Sequence, residues 1–369
     1  MKVIFVELRM IRSNLYRNYD IAEIKQNGNE VEIWHVGKIV NAVEGFKLEI
    51  PNSLKGLIKI FYKREELDLS ISELTGRVVF ISQLGLQRKY PSFIEQIRKY
   101  DNFAWIGRIT KQAPTSGWLN NSNIFQYLKR FVPIRYEYEP DVLLLATSKD
   151  VLRLKFPNDP KKIVIQHSED YNEYIRLIET ERPIDFPKNY VVFLDQMICH
   201  QPAVLASLGE NFIDKEKYKR KLIGTLSEIQ EILQLPILIA AHPESEKYPE
   251  YLASFPFKVI KSRSAELVKF SKLVVTHYST AINFAVIYKK PILLLDFHEF
   301  NNHKLVKKAI NNFQYTLDIT KVFIDEKINK NDIKLSVNED CYKHYFKKNI
   351  KEEDTIEELT YPYLLKLLE

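Results

Sequence analysis

The chain has 369 residues, more than a single domain usually holds, so two domains are the default. Hydrophobic residues make up 45% and charged residues 28%, the balance of an ordinary globular protein, and no apolar run reaches the roughly 20 residues that span a bilayer. The 54 basic residues outnumber the 48 acidic ones by 6, which suits an anionic ligand or an acidic membrane surface. The lysines are interleaved with Glu and Asp along the chain, which argues against a dedicated nucleic-acid surface.

Two cysteines, Cys199 and Cys341, lie far apart and in no metal-ligand spacing. That usage fits a reducing cytosol and argues against a disulfide scaffold or a zinc site. With only 10 glycines, the chain carries neither GxGxxG nor GxxxxGK[ST], so a dinucleotide fingerprint and a P-loop are absent. The opening Met1-Lys2-Val3-Ile4-Phe5-Val6-Glu7 lacks a long apolar stretch and a small-residue cleavage site. It reads as a first strand rather than a signal peptide, and a cytoplasmic protein is expected.

In the first half, short apolar runs predict strands over 3–6, 31–35, 78–82, 103–106, 142–146 and 162–166. Amphipathic segments at 91–100 and 124–131 lie between them. Strands alternating with helices imply a parallel sheet covered on both faces. The run Val142-Leu143-Leu144-Leu145-Ala146 has the uninterrupted apolar character of a strand buried on both sides.

Residues 178–189, with two prolines and several charges, read as a linker. A second alternating block follows: strands at 190–195, 237–241, 257–260, 272–276 and 291–296, with helices at 215–233, 264–270 and 279–289. The end, 340–369, is charged and helical, with Leu364, Leu365, Leu367 and Leu368 available to pack. The expected division is a domain over 1–180, a second over 190–335, and C-terminal helices over 336–369 packing back on the first. Two such α/β blocks joined by a linker predict strand ends facing an interdomain cleft, a common ligand site.

Four of the eight histidines follow apolar strands directly: His167, His200, His242 and His277. Strand ends are where function collects in an open α/β sheet. The segment Val274-Val275-Thr276-His277-Tyr278-Ser279-Thr280 runs straight into an apolar helical stretch. Ser279 and Thr280 serve equally as an ordinary N-cap or, with first-turn N–H groups, as a grip on phosphate. In Ala241-His242-Pro243-Glu244, neither strand nor helix capping demands the His-Pro pair, and proline fixes the backbone beside the imidazole.

Two carboxylates, Glu169 and Asp170, follow the 162–166 strand, and Asp195 ends the 190–195 strand. A carboxylate at a cleft can take a proton from an acceptor hydroxyl if its pKa suits the pH. Glu169 and Asp170 are equally suited to capping a following helix.

A His-Pro motif followed by a strand that ends in a Ser/Thr pair resembles bacterial polysialyltransferases and related capsule or lipopolysaccharide glycosyltransferases. The teichoic-acid glycerophosphotransferases are similar, with Asp-Tyr-Ser-Ser where this chain has His277-Tyr278-Ser279-Thr280. The resemblance covers 190–300 well and the first half in outline. It implies a GT-B fold of two Rossmann-like domains and a CMP- or CDP-linked donor held by both motifs. Carried over by position, His242, Pro243, Glu244, His277, Ser279 and Thr280 bind the donor. Glu169 or Asp170 is the implied base, although Tyr171 stands where the polysialyltransferase acidic motif has glycine.

The expected activity is transfer of a nonulosonic or ulosonic acid from a CMP-activated donor to a glycan or lipid-linked acceptor, with inversion and without a metal. Asp170 (or Glu169) deprotonates the acceptor, and His242, Ser279 and Thr280 stabilise the leaving CMP. His167, Asp195 and His200 line the cleft. Peripheral contact with the inner membrane is expected of a lipid-linked acceptor's enzyme. The alternatives are a CDP-glycerol or CDP-ribitol phosphotransferase, a UDP- or GDP-sugar GT-B enzyme, and a non-catalytic nucleotide-binding subunit.

Overall fold

Alternation along Val3-Ile4-Phe5-Val6 sends Val3 and Phe5 to one side of a sheet and Ile4 and Val6 to the other. In the computed structural model this stretch is an interior strand, β1 (Lys2–Glu7), third in order across a seven-stranded parallel sheet. The structure describes residues 1–9, 11, 14–41, 48–109, 133–151, 153–200, 204–205, 209 and 212–369. The helix expected at 124–131 lies outside the described residues.

The first sheet has the order β3-β2-β1-β4-β5-β7-β9. Its strands are β2 (Glu30–His35), β3 (Ile58–Ile60), β4 (Val78–Gln83), β5 (Phe103–Arg108), β7 (Val142–Leu145) and β9 (Lys162–Ile165). A separate two-residue pair joins β6 (Ile134–Arg135) to β8 (Leu154–Lys155). Trp34, Phe80 and Trp105 fill the core on one face, and Phe5, Ile81 and Ile106 the core on the other. At Gly107 in β5 an added Cβ would sit 2.6 Å from the Leu84 side chain and 3.1 Å from Pro140, so glycine is what lets those groups close on the strand.

The second sheet has six parallel strands in the order β12-β11-β10-β13-β14-β15. They are β10 (Val191–Leu194), β11 (Ile237–Ala240), β12 (Lys258–Ile260), β13 (Leu273–Thr276), β14 (Ile292–Asp296) and β15 (Thr320–Phe323). In sequence rank this order is 3-2-1-4-5-6, the doubly wound arrangement whose winding reverses between β10 and β13. The helix Lys215–Leu233 lays Tyr218, Leu222, Leu226 and Ile229 into the core at helical spacing. Asp214 caps its start by accepting from Lys217 N at 3.0 Å. The fold class is therefore α/β with two parallel, Rossmann-like sheets.

The described chain divides into two units, with the boundary at Asn172/Glu173 inside the helix Glu169–Leu177. The C-terminal stretch is shared between them. The helix Glu339–Asn349 belongs to the second unit, where Tyr345 Oη donates to Asn283 Oδ1 and Tyr342 Oη to the Lys290 carbonyl. Residues 352–369 belong to the first, and the helix Thr360–Lys366 buries Tyr361, Leu364 and Leu365 in the core around Phe5. Among the described residues no helix is long and apolar enough to cross a membrane.

Candidate functional site

In an open parallel sheet, ligands bind beyond the carboxyl ends of the strands, where the winding reverses. In the second unit that point carries Asp195-Gln196 after β10 and His277-Tyr278-Ser279-Thr280 after β13. His242-Pro243 lies on the far side of β10, after β11. Since β11 and β13 both pair with β10, their ends stand two strand spacings apart, about 10 Å.

Side chains join these three ends. Asp195 is 5% exposed, and its Oδ1 accepts from Met197 N at 2.9 Å and from Tyr251 Oη at 2.8 Å. Tyr251 stands on the short helix Pro249–Ala253, just beyond the 3-10 turn Pro243–Lys247 that His242 begins. Gln196 Oε1 accepts from Tyr278 N at 2.7 Å, tying the end of β10 to the end of β13. The contacts thus run from the His242 turn through Tyr251, Asp195 and Gln196 to Tyr278 and Ser279.

Met197 follows with φ 53, a left-handed conformation unusual for a side chain of its size. Its N–H bond to Asp195 Oδ1 helps hold it there. Asp195 Oδ2 is enclosed and, among the described residues, has no hydrogen-bond partner. Burial therefore pushes the Asp195 carboxyl up to about 6, against the bonds from Met197, Tyr251 and Gln196 that favour its ionised form.

His242 Nδ1 accepts from Glu244 N at 3.1 Å, so the neutral ring carries its proton on Nε2. The His242 carbonyl accepts from Ser245 Oγ at 2.6 Å, and Glu244 pairs with Lys247 at 2.7 Å. Pro243 is exposed at the first position of the turn. The His200 ring packs on Tyr251 and Tyr248 with centroids 4.9 and 5.5 Å apart, and burial lowers its pKa.

His277 sits inside the core rather than on the ligand-facing surface. It is 0% exposed; Nδ1 donates to the Leu295 carbonyl at 2.7 Å and Nε2 accepts from Tyr218 Oη at 2.9 Å. Burial drives its pKa down to about 4. Both ring nitrogens are engaged, so His277 braces β13 against β14 and the helix Lys215–Leu233. The expectation that it touches the donor directly does not match this geometry.

The helix after β13 is shorter than its apolar run suggests. It spans Ile282–Ile287, with Ala281 as its cap. Ser279 Oγ accepts from Ala281 N at 3.3 Å, and the N–H groups of Ile282, Asn283 and Phe284 go to the carbonyls of Ser279, Thr280 and Ala281. The expected free N–H groups of the first helical turn are therefore taken up locally. What stays unengaged among the described residues lies one step earlier: the N–H groups of Ser279 and Thr280, with their hydroxyl hydrogens.

The remaining expected residues lie in or beside the first unit. Glu169 and Asp170 are the first two residues of the helix Glu169–Leu177, where carboxylates suit the positive end of its dipole. Glu169 is exposed and accepts from Asn18 Nδ2 at 2.7 Å; Asp170 is half-buried. His167 is 2% exposed, its Nε2 3.0 Å from the Glu358 carbonyl and its Nδ1 3.1 Å from that of Ser168. With Asn18, Gln166, Asn172 and Tyr361, His167 and Glu169 line a small polar depression.

One cluster in the first unit gave no sequence signal. At the ends of β1 and β5, Glu7 and Arg108 form a buried ion pair at 3.7 Å. Arg108 donates to Tyr19 Oη and Tyr361 Oη, both at 2.7 Å, and Tyr19 donates to Glu7. Burial opposes charge on Glu7, yet Arg108, Tyr19 and two backbone N–H groups bring its pKa below the ordinary value. These residues come from positions 7, 19, 108 and 361, so only the fold brings them together. Among the described residues no group of three His, Cys, Asp or Glu side chains is placed to hold a metal ion.

No protein-family model and no curated protein matches the chain. Solved structures do match along its length. The wall teichoic acid polymerase TagF is 14% identical, covering 100% of this chain and 88% of its own, with a TM-score of 0.49. The UDP-GlcNAc 2-epimerase of Methanocaldococcus jannaschii, in complex with UDP-GlcNAc and UDP, is 14% identical over 100% and 99%, with a TM-score of 0.45. The spinosyn forosaminyltransferase SpnP is 13% identical over 100% and 99%, with a TM-score of 0.43.

Proposed function

We propose that the protein is a GT-B glycosyltransferase that takes a CMP-activated nonulosonic or ulosonic acid as donor. The observation that supports this most is the linked set of strand ends in the second unit. It supplies neutral N–H and O–H donors from the turn after β13 and an imidazole with a fixed tautomer after β11. Such donors suit a phosphate whose charge grows as a leaving group departs.

In this reading the acceptor hydroxyl oxygen forms a bond to the anomeric carbon as that carbon's bond to the CMP phosphate oxygen breaks. Attack from the opposite face inverts the anomeric centre. The acceptor's proton passes to Asp170 or Glu169, and CMP leaves with the electron pair. His242, Ser279 and Thr280 take up the charge on the phosphate without a metal ion. A lipid-linked acceptor would bring the enzyme to the cytoplasmic face of the inner membrane.

The test is incubation with a panel of CMP-, CDP-, UDP- and GDP-linked donors and candidate acceptors. The reading requires consumption of a CMP-sugar, release of CMP and loss of both in His242→Ala. The same strand ends would serve a CDP-glycerol or CDP-ribitol phosphotransferase, which resembles this chain at Tyr278-Ser279. A product containing phosphorus identifies that chemistry instead.

A further inference from the structure

Gln196 stands where the winding of the second sheet reverses, directly after Asp195 at the end of β10. It is 8% exposed. Its carboxamide has one oxygen, which accepts, and one nitrogen, which only donates. The Tyr278 backbone N–H can only donate, so the atom 2.7 Å from it is the oxygen, and the orientation of the amide is fixed by its partner.

The nitrogen lies on the other branch of the same planar group. Among the described residues no acceptor takes a hydrogen from Gln196 Nε2, and Nε2 is not among the enclosed polar atoms. A nearly buried amide anchored through its oxygen thus keeps two donors at the strand ends. The nitrogen keeps access to solvent, so a ligand oxygen arriving there replaces water as its acceptor. The same bond places them beside the turn that begins at Tyr278, whose Ser279 and Thr280 N–H groups also lack acceptors among the described residues. Neutral donors standing at two neighbouring strand ends are the chemistry of an oxyanion site.

We infer that Gln196 is a ligand-binding residue that donates from Nε2 to a non-bridging phosphate oxygen of the bound nucleotide. This rests on reading the second unit as a nucleotide site. Gln196 then has two tasks. Its oxygen sets the position of the Tyr278-Ser279 turn, and its nitrogen contacts the ligand that the turn receives. A lysine could supply the positive field but not the acceptor for Tyr278 N. A glutamate could accept from Tyr278 N but would present a second oxygen to the phosphate.

Gln196→Glu therefore separates the two tasks, because it keeps the acceptor and replaces the donor with an anionic oxygen. Gln196→Met keeps the bulk and removes both. Binding of CMP, cytidine, UDP and inorganic phosphate to the full chain is measured by calorimetry at pH 7.5, with unfolding followed by circular dichroism.

The inference predicts a folded Gln196→Glu whose unfolding midpoint is lowered by the second buried carboxylate beside Asp195, and a CMP affinity weakened roughly 10- to 100-fold, the size of a lost bond to a charged group. Cytidine affinity is unchanged, and Gln196→Met loses both stability and CMP binding. Wild-type CMP affinity in Gln196→Glu overturns the inference, as does an equal loss for cytidine and CMP. If wild type binds UDP rather than CMP and Gln196→Glu weakens it, the Gln196 assignment stands and the cytidine donor fails. If wild type binds none of the four, both fall.

Discussion

Tyr251 Oη donates to Asp195 Oδ1 at 2.8 Å, so a phenol rooted just beyond the His242 turn holds the carboxylate at the end of β10. Removing that donor leaves Oδ1 with the Met197 N–H, at 2.9 Å, and the neighbouring backbone. Tyr251→Phe is expected to lower stability by about 1–2 kcal/mol. It should also weaken nucleotide binding, because the left-handed Met197 and the Gln196 amide lose part of their support. Denaturant unfolding and calorimetry on the one variant check both effects.

Two buried groups in the same unit titrate in opposite senses. Asp195 is raised from 3.8 to about 6 by burial, so its contribution to stability is full below pH 3.8 and lost as pH rises through 6. His277 is lowered from 6.5 to about 4, so its contribution is full above 6.5 and lost as pH falls through 4. Each amounts to about 3 kcal/mol, and between pH 4 and 6 they largely cancel. In urea titrations, Asp195→Asn should become more acid-sensitive than wild type across that window. His277→Gln should become less so. Identical pH profiles for all three proteins would contradict the burial argument.

Much of this was legible in the sequence. The continuous apolar run Val142–Ala146 predicted a strand buried on both faces, and that is how β7 lies, with Leu143 and Leu145 in one core and Val142 and Leu144 in the other. β15 went unread because only Val322 of its four residues is buried, and three-residue β3 because it has no long apolar run. Strand-end position marked His242, His277 and Ser279 as notable but could not say which would face outward. His277 is internal because Tyr218, 59 residues earlier, and Leu295 both meet its ring. Gln196 carried no signal of its own: its significance depends on a bond to Tyr278, 82 residues away.

The Glu7–Arg108 pair is enclosed, with 5% and 2% of the two side chains exposed. Arg108→Met would leave the Glu7 charge with Tyr19 and two backbone N–H groups but no cation. Breaking one side of a buried pair costs about 3–5 kcal/mol. The first unit of this variant should be cut by protease well before the second. Arg108→Met combined with Glu7→Gln should recover part of the loss, since no buried charge remains.

Ser279 Oγ accepts the Ala281 N–H at 3.3 Å, a long bond. Ser279→Ala is therefore expected to change stability by less than about 1 kcal/mol. If the hydroxyl also donates to phosphate, the same change weakens CMP binding roughly tenfold. A variant that unfolds earlier yet binds CMP normally would assign Ser279 to capping alone.

The central claim is that cytidine phosphate binds at the strand ends of the second unit. Its most direct test is calorimetric titration of wild type and His242→Ala with CMP, UDP and GDP under identical conditions. The account predicts that wild type binds CMP in preference to the other two and that His242→Ala loses CMP binding while staying folded, its stability lowered only by the lost Glu244 N–H bond, about 1 kcal/mol. CMP binding that is absent in wild type, or unchanged in His242→Ala, would contradict it.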